Sequence, residues 1–423
     1  MNYLDEDLPI DLPLVDSSII KVIGVGGGGS NAVNHMYRQG ITDVTFVVCN
    51  TDNQALAKSP VPIKVQIGKG LGAGGKPQVA RVAAEDSVEK IQEILKDNTE
   101  MVFITAGMGG GTGTGASPVI AKVAHDMGIL TIGIVTIPFA FEGRLKIQQA
   151  LEGVVALSEH VDAILVINNE KLREIYPDLE LSNAFAEADN VLTNAAKGIA
   201  EIITVPGYIN TDFADVYSVL KDGNVAIMNT GFASGEHRLI KAIENALNSP
   251  LLNTNDVSGA SKILLSLYCS SQNQIRMEEI EEIQQFMSRI NDAQDVIWGA
   301  TFDDTLGDNV KVTLIATGFD VSDIPGMPAK EKDGNKETTI SNKVPFVVND
   351  EPIITEEEIK EEQEKERLIQ KAMNEYYKDK IDSDKIETPV VEDLPEFTLD
   401  DLENEAKRED IENIPAWKRM MNK

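Results

Sequence analysis

The stretch Met101-Val-Phe-Ile-Thr105-Ala-Gly107-Met-Gly109-Gly110-Gly111-Thr112-Gly113-Thr114-Gly115, followed by Ala116-Ser117-Pro118, decides the fold of this chain. An apolar run of strand type leads into it and a helix start leads out. Five glycines fall between residues 109 and 115. A loop without Cβ atoms lets backbone N–H groups close around a phosphate, and the hydroxyls of Thr112 and Thr114 add donors. Ser117-Pro118 reads as an N-cap followed by proline in the first turn, so a helix N-terminus is expected to point at the same anion. A flexible linker has a similar composition, but linkers are not pinned between a buried strand and a capped helix.

A second glycine run repeats the arrangement. Residues 18–24 read as a strand, Gly26-Gly27-Gly28-Gly29-Ser30 as a tight loop, and residues from Asn31 to 39 as a helix closed by Gly40. Gly24, Gly26 and Gly29 satisfy the dinucleotide spacing GxGxxG, a weak signal by itself. That fingerprint asks for an acid at the end of the second strand. Here residues 44–49 end in Asn50-Thr51-Asp52, with the acid displaced into the loop, which weakens the reading as a nicotinamide-dependent oxidoreductase. Gly70 to Gly75-Lys76 nearly spells a P-loop, but Pro77 stands where a hydroxyl must reach Mg²⁺. Pro77 more simply opens a helix over 78–96, apolar at Val79, Val82, Ala83, Val88, Ile91 and Leu95.

Strands at 101–105, 129–137 and 161–167 alternate with helices at 117–127 and 145–159. That is a doubly wound parallel α/β sheet of Rossmann type, with its ligand at the carboxyl ends of the strands. Residues 181–205 form one long helix, apolar at Phe185, Ala188, Val191, Leu192, Ala195, Ile199 and Ile202 and expected to be buried between domains. On helical spacing alone Phe185 reads as core. A smaller mixed α+β part follows, with strands at 225–228, 262–268, 295–301 and 310–316 and helices at 235–247 and 277–291.

The 423 residues suffice for two domains and an accessory segment. An acidic N-terminus and the lack of any run of about 18 apolar residues argue against a signal peptide and a membrane span, and so for the cytoplasm. Cys49 and Cys269 lie in apolar strand-like runs and read as core, with neither a metal nor a redox role. A net charge of −31 argues against nucleic acid and anionic lipid as partners. After Asp320 there are 28 acidic and 16 basic residues, with few aromatics, as in a disordered linker. Within it residues 356–380 are rich in i,i+4 opposite charges and could form a solvated helix. The last residues, from Ile411 through Ile414-Pro415-Ala416-Trp417 to Lys423, turn apolar and basic, like a docking peptide on a tether. The domain plan is thus a flexible extension 1–17, a nucleotide domain 18–180, a central helix 181–206, a second domain 207–320, an acidic linker 321–410 and a partner-binding peptide 411–423.

These motifs, with Pro138-Phe-Ala-Phe-Glu142-Gly143 and Asn210-Thr211-Asp212-Phe-Ala-Asp215, occur in the order and spacing of the FtsZ family, the bacterial relatives of tubulin. The resemblance runs from about Ser18 to Phe319, and Ile414, Pro415 and Trp417 resemble the family's tail peptide. It implies a GTPase that assembles head to tail into a division ring at the septum. It also implies that the tail binds membrane-tethering and regulatory division proteins. The cofactors implied are GTP or GDP, with Mg²⁺ held mainly by the phosphates and no protein metal site.

By the same resemblance the phosphates lie against Gly27, Gly28, Gly29, Ser30, Asn31, Gly107, Gly109, Gly110, Gly111, Thr112 and Gly113. Glu142 and the basic residue four positions on meet the ribose and phosphates. That residue is Lys146 here, where the family commonly has Arg, and Arg144 is a second cation nearby. Guanine would meet Phe185, Asp189 and Asn169. A carboxylate only accepts hydrogen bonds, and guanine offers N1–H together with its exocyclic amine, whereas adenine has no such pair on that edge. Hydrolysis needs a group to orient water, and neither glycine run holds an acid. Asp212 and Asp215, with Asn210, are the candidates. More than 20 residues, mostly helix at about 1.5 Å each, separate Asp189 from Asp212, a span of roughly 30 Å. The acids are therefore expected to act on the nucleotide of the next subunit, across a heterologous interface that propagates a filament.

Overall fold

Six apolar runs make six parallel strands. They are β1 (Ile20–Val25), β2 (Thr45–Asn50), β3 (Ile63–Gln66), β4 (Met101–Gly107), β5 (Leu130–Ile137) and β6 (Ala163–Asn168). Their order is β3-β2-β1-β4-β5-β6, every neighbour parallel. β1 and β5 are buried at every residue, as continuous Val/Ile-rich runs should be when helices cover both faces of a parallel sheet. Strand order reverses between β1 and β4, which opens a crevice at their carboxyl ends. The computed structural model describes residues 18–319, apart from 177, 179, 248–259, 282 and 284–294. The expected extension 1–17, the linker with its 356–380 segment, and the tail peptide lie outside the described residues, as does most of the helix expected at 277–291.

The second set of strands continues the first. β7 (Asn224–Ser234), β8 (Lys262–Cys269), β9 (Asp295–Phe302) and β10 (Asn309–Phe319) extend the order as β6-β7-β10-β8-β9. β10 is antiparallel to β7 and β8, and β8 is parallel to β9. Two residue pairs, Ala163↔Asn224 and Ile164↔Val225, join the two sets. The mixed sheet expected as a separate unit is thus hydrogen-bonded to β6, because β7 starts one residue earlier than its apolar run and covers an edge that would otherwise stay open.

The helices are α1 (Gly26–Arg38), α2 (Asn53–Lys58), α3 (Pro77–Glu85), α4 (Val88–Leu95), α5 (Gly111–Asp126), α6 (Arg144–Ser158), α7 (Asn169–Ile175), α8 (Leu181–Thr204), α9 (Phe213–Leu220) and α10 (Arg238–Leu247). Three expectations fail in instructive ways. α1 and α5 begin inside their glycine runs, so Gly26–Ser30 is the first helical turn and not a loop. Ser117 is no cap, because its Oγ donates to Gly113 O at 2.6 Å within α5, where Pro118 is also accommodated. The single helix expected over 78–96 breaks at Asp86-Ser87, and α3 buries Ala80 and Ala84 while Val79 and Val82 are 48% and 46% exposed. Only small side chains fit where α3 lies against the glycine-rich start of α5.

α8 meets the expectation of a buried central helix. Ala188, Leu192, Ala195, Ala196, Ile199, Ala200 and Ile202 join one core with Val22 and Phe103 on one side and Val219, Leu264 and Ile315 on the other. Cys49 and Cys269 are buried free thiols within strands, and burial pushes Cys49 up to about 12, far from a reactive thiolate.

Candidate functional site

β1 and β4 each run straight into a glycine-opened helix, and the two openings touch. A Cβ on Gly26 would lie 2.7 Å from Gly113 N, and one on Gly28 would lie 3.2 Å from Gly107 Cα. The N-cap residues, Val25 for α1 and Gly110 for α5, give no side-chain hydrogen bond to their helices. Two sets of first-turn N–H groups, which have no intrahelical acceptor, therefore sit side by side at two positive dipole ends. Gly109 is not among these donors, since its N–H is taken by Thr114 Oγ1 at 2.9 Å. Its φ of +91° and the closeness of Lys146 O, 2.6 Å from where a Cβ would stand, explain why glycine is needed there.

The glycines divide by what surrounds them. At Gly29, Gly111, Gly113 and Gly115 a Cβ would strike protein, at Gly115 as close as 2.0 Å to Pro77 O. At Gly27 and Gly110 it would meet nothing within 4 Å. The first group packs helix on strand and helix on helix, and the second borders open space. Thr112 closes the side of the crevice through a 2.7 Å hydroxyl pair with Thr51 at the end of β2. Asp52 is engaged in capping. It caps α2, accepting from Gln54 N at 2.8 Å and Ala55 N at 3.4 Å, which removes the acid that the dinucleotide fingerprint requires.

Three buried side-chain oxygens at this rim have no protein partner, namely Ser30 Oγ in the first turn of α1, Thr105 Oγ1 in β4 and Asn169 Oδ1 just after β6. Leaving a buried polar group unmet costs about 1–3 kcal/mol, so three together at the carboxyl ends of β1, β4 and β6 mark a place built for a polar ligand. Asn31, next to Ser30, is exposed.

The neighbouring edge is aromatic. Phe185, in the second turn of α8, is 41% exposed, against its reading as core. Its ring stands edge-on to Phe139 at 5.3 Å, and Phe139 stacks on Phe141 at 5.1 Å. Asp189, one turn further along α8, is held in the protonated direction by burial, with its pKa raised to about 7. Glu142 accepts from Phe139 N–H at 3.0 Å and lies 3.4 Å from Lys146 Nζ, so it both caps its own turn and pairs across one helical turn. Arg144 opens α6.

Two residues that the sequence reading did not single out support this edge. Glu170 is 3% exposed and accepts from Ala140 N–H at 2.9 Å and from Arg173 Nε at 2.7 Å, which locks the Phe139–Glu142 turn to α7. Thr105 is the other. Each carried a signal: a charge at the end of a buried strand, and a hydroxyl inside an apolar run.

Asn210, Asp212 and Asp215 are not brought to this crevice. They follow the C-terminus of α8, and the 15 residue steps from Asp189 to Thr204 alone span about 22 Å of helix. Asp212 caps α9 and Asp215 closes the box: Asp215 N–H donates to Asp212 Oδ1 at 3.1 Å, and Asp212 N–H to Asp215 Oδ2 at 3.0 Å. Asn210 Oδ1 accepts from Gly207 N–H at 3.1 Å. Ile209 bridges to Ala300 of β9, and Thr211 is buried against Gly299. No group of three or more His, Cys, Asp or Glu suited to a metal ion occurs among the described residues, and none of their helices is long and apolar enough to cross a membrane.

Residues 19–177 match the Tubulin/FtsZ family, GTPase domain, and residues 224–320 the FtsZ family, C-terminal domain. The chain is 47% identical to the cell division protein FtsZ of Porphyromonas gingivalis, over 99% of this chain and 87% of that one. It is 44% identical to that of Aquifex aeolicus, over 71% of this chain and 83% of the other. Among solved structures, an empty FtsZ dimer from M. jannaschii superposes with a TM-score of 0.66 at 39% identity, covering 78% of this chain and 97% of that one. CetZ2 from Haloferax volcanii, a GTPγS-bound protofilament, shares the fold at a TM-score of 0.60 and 21% identity, over 71% of this chain and 92% of the other. The oxidoreductase reading finds no support in these matches or in the placement of Asp52. With both family domains present in order and a relative of 47% identity along nearly its whole length, the chain belongs to the FtsZ family of tubulin-like cell-division GTPases.

Proposed function

We propose that GTP lies along the rim from α1 and α5 to the start of α8, and that hydrolysis occurs only where a second subunit brings its acidic loop to that rim. The phosphates take the acceptor-free first-turn N–H groups of Gly27 and Gly28 and of Gly110–Gly113, with Gly29, Asn31 and the Ser30 and Thr112 hydroxyls beside them. Lys146, whose backbone abuts Gly109, pairs with Glu142 beside the ribose, with Arg144 at the start of α6 as the second cation nearby. Asn169, Phe185 and Asp189 hold the base. Mg²⁺ would be held mainly by the phosphates, where it would neutralise their charge. The observation that carries this reading is the trio of buried, unmet oxygens of Ser30, Thr105 and Asn169 around two touching, uncapped helix starts.

Asp212 and Asp215, with Asn210, orient the attacking water on the neighbour's GTP, since more than about 20 Å of α8 separates them from their own base site. Beside them Tyr208 stacks on Phe302 at 4.5 Å, and Tyr208, Ile209, Trp298 and Phe302 are all at least 36% exposed. An apolar surface of that kind next to the acids suits the face of a head-to-tail filament. The terminal peptide, through Ile414, Pro415 and Trp417, carries the filament to a membrane-tethered partner at the septal ring. Sedimentation with GTP, GDP, ATP or NAD tests the whole reading. Polymer is expected with GTP alone, and turnover per subunit should rise with protein concentration. Equal pelleting with ATP or NAD, or concentration-independent turnover, would refute it.

A further inference from the structure

The acidic loop forms the start of α9, and the far end of α9 carries an ion pair that the reading above does not use. Lys221, which ends α9, places Nζ 2.5 Å from Asp162 Oδ1. Asp162 precedes β6 in the nucleotide half, and its side chain is fully enclosed. Its other oxygen accepts from Thr131 N–H of β5 at 2.8 Å, and His125 in the last turn of α5 stands 4.0 Å from the first. One carboxylate therefore gathers β5, α5 and the start of β6 around the end of α9.

The corner is fixed from both halves. Asp222 and Asn224 have φ of 52° and 51°, a left-handed form that the turn must hold against its intrinsic cost. Asn224 N–H donates to Asp162 O at 3.0 Å, and Thr317 Oγ1 of β10 donates to Val219 O at 2.8 Å. α9 extends from this corner as a lever of eight residues, about 12 Å long. A tilt of about 10° at the anchored end displaces Asp212 by about 2 Å, and a misplacement of about 1 Å can cost about 100-fold in rate.

We propose that the Lys221–Asp162 pair is the positioning contact for the acidic loop, setting the angle at which α9 presents Asp212 and Asp215 to the neighbouring subunit. This rests on the reading of those acids as hydrolytic. Lys221 and Asp162 are positioning residues, since neither reaches nucleotide. An ordinary buried ion pair would affect folding alone, and replacing both partners by neutral residues is then often harmless.

The test uses the full chain. Lys221→Met alone strands a buried carboxylate, so the informative variant is Asp162→Asn with Lys221→Met. GTP affinity and KM are expected to stay within about twofold of wild type while kcat falls by about 10-fold to 100-fold, the upper figure being that of a displacement of about 1 Å. Lys221→Arg, which keeps charge and reach, should retain the wild-type kcat. A wild-type kcat in the double variant, whatever its Tm, overturns the proposal. Asp215→Asn is measured beside it. Wild-type turnover in that variant means the acids are not hydrolytic, and the underlying reading fails first. Collapse of Asp215→Asn with an unaffected double variant condemns the positioning role alone. Should the double variant not fold, Asp162→Asn by itself keeps an acceptor for Thr131 N–H, and an unchanged kcat there overturns the proposal equally.

Discussion

If Asp189 meets the base as proposed, a single buried carboxylate links recognition to pH. Burial pushes the Asp189 carboxyl up to about 7, against 3.8 for an exposed aspartate. Because the folded pKa is raised, its contribution to folding stability is full below about pH 4 and is lost as pH rises through about 7. Guanine held at the proposed base site would reverse that tension, since its N1–H and amine would donate to the ionised form. GDP affinity should therefore be level above about pH 7.5 and fall by up to tenfold per unit below about 7. Asp189→Asn should flatten that slope and relax the preference for GTP over ATP. The nucleotide's own terminal phosphate titrates nearby, so the decisive quantity is the difference between wild type and Asp189→Asn, followed with a fluorescent nucleotide from pH 5.5 to 8. Identical profiles would remove Asp189 from the base site. The sequence places this residue on the long helix one turn after Phe185 but cannot reveal its titration, which depends on what encloses it.

At the scale of the element, glycines of one motif should behave in opposite ways. Gly110 has φ −92°, open to any residue, and its Cβ would meet nothing, so Gly110→Ala should fold with a Tm near wild type. It should weaken GTP binding by about 10-fold or more if phosphate fills that space. Gly115→Ala puts its Cβ against the backbone of Pro77 and should lose about 1–3 kcal/mol or more of stability, seen as a lower Tm. A Gly110→Ala variant that binds GTP normally would move the phosphates elsewhere. This division also explains what the sequence reading could and could not supply. Strand–glycine–helix repetition gave the parallel sheet and the crevice, because alternation and apolar runs follow from local chemistry. It misplaced the helix starts, because glycine's poor helix propensity argues for loop while close packing of α1 on β4 and of α5 on α3 demands helix there. It also read the wrong face of α3, since Val79 and Val82 are the more hydrophobic residues and only Ala80 and Ala84 are small enough to lie against α5.

At the scale of the whole molecule the acidic tether and the composite site make separate predictions. Deleting residues 413–423 should leave GTP turnover and filament formation nearly intact and abolish recruitment to the division site, and normal localisation of the truncated protein would refute the docking role of Ile414, Pro415 and Trp417. The composite site is tested by mixing. Asp212 and Asp215 hold each other in a reciprocal cap whose loss costs about 1 kcal/mol, so alanine would confound chemistry with a frayed α9. Asp215→Asn keeps an acceptor for Asp212 N–H and removes only the charge. It should bind GTP as wild type does, while turnover falls by about 100-fold or more, the usual size for losing a base or water-orienting group. Thr112→Arg places a long side chain in the first turn of α5 and should abolish GTP binding while leaving the acidic loop whole. Neither variant hydrolyses GTP by itself. Mixed, they should recover part of the activity, because a junction forms in which one subunit supplies bound GTP and the other supplies Asp212 and Asp215. Recovery should peak near equal proportions and grow with total concentration. Co-assembly with no recovery would mean that the acids serve their own chain, which the length of α8 forbids unless the second half of the molecule folds back upon the first.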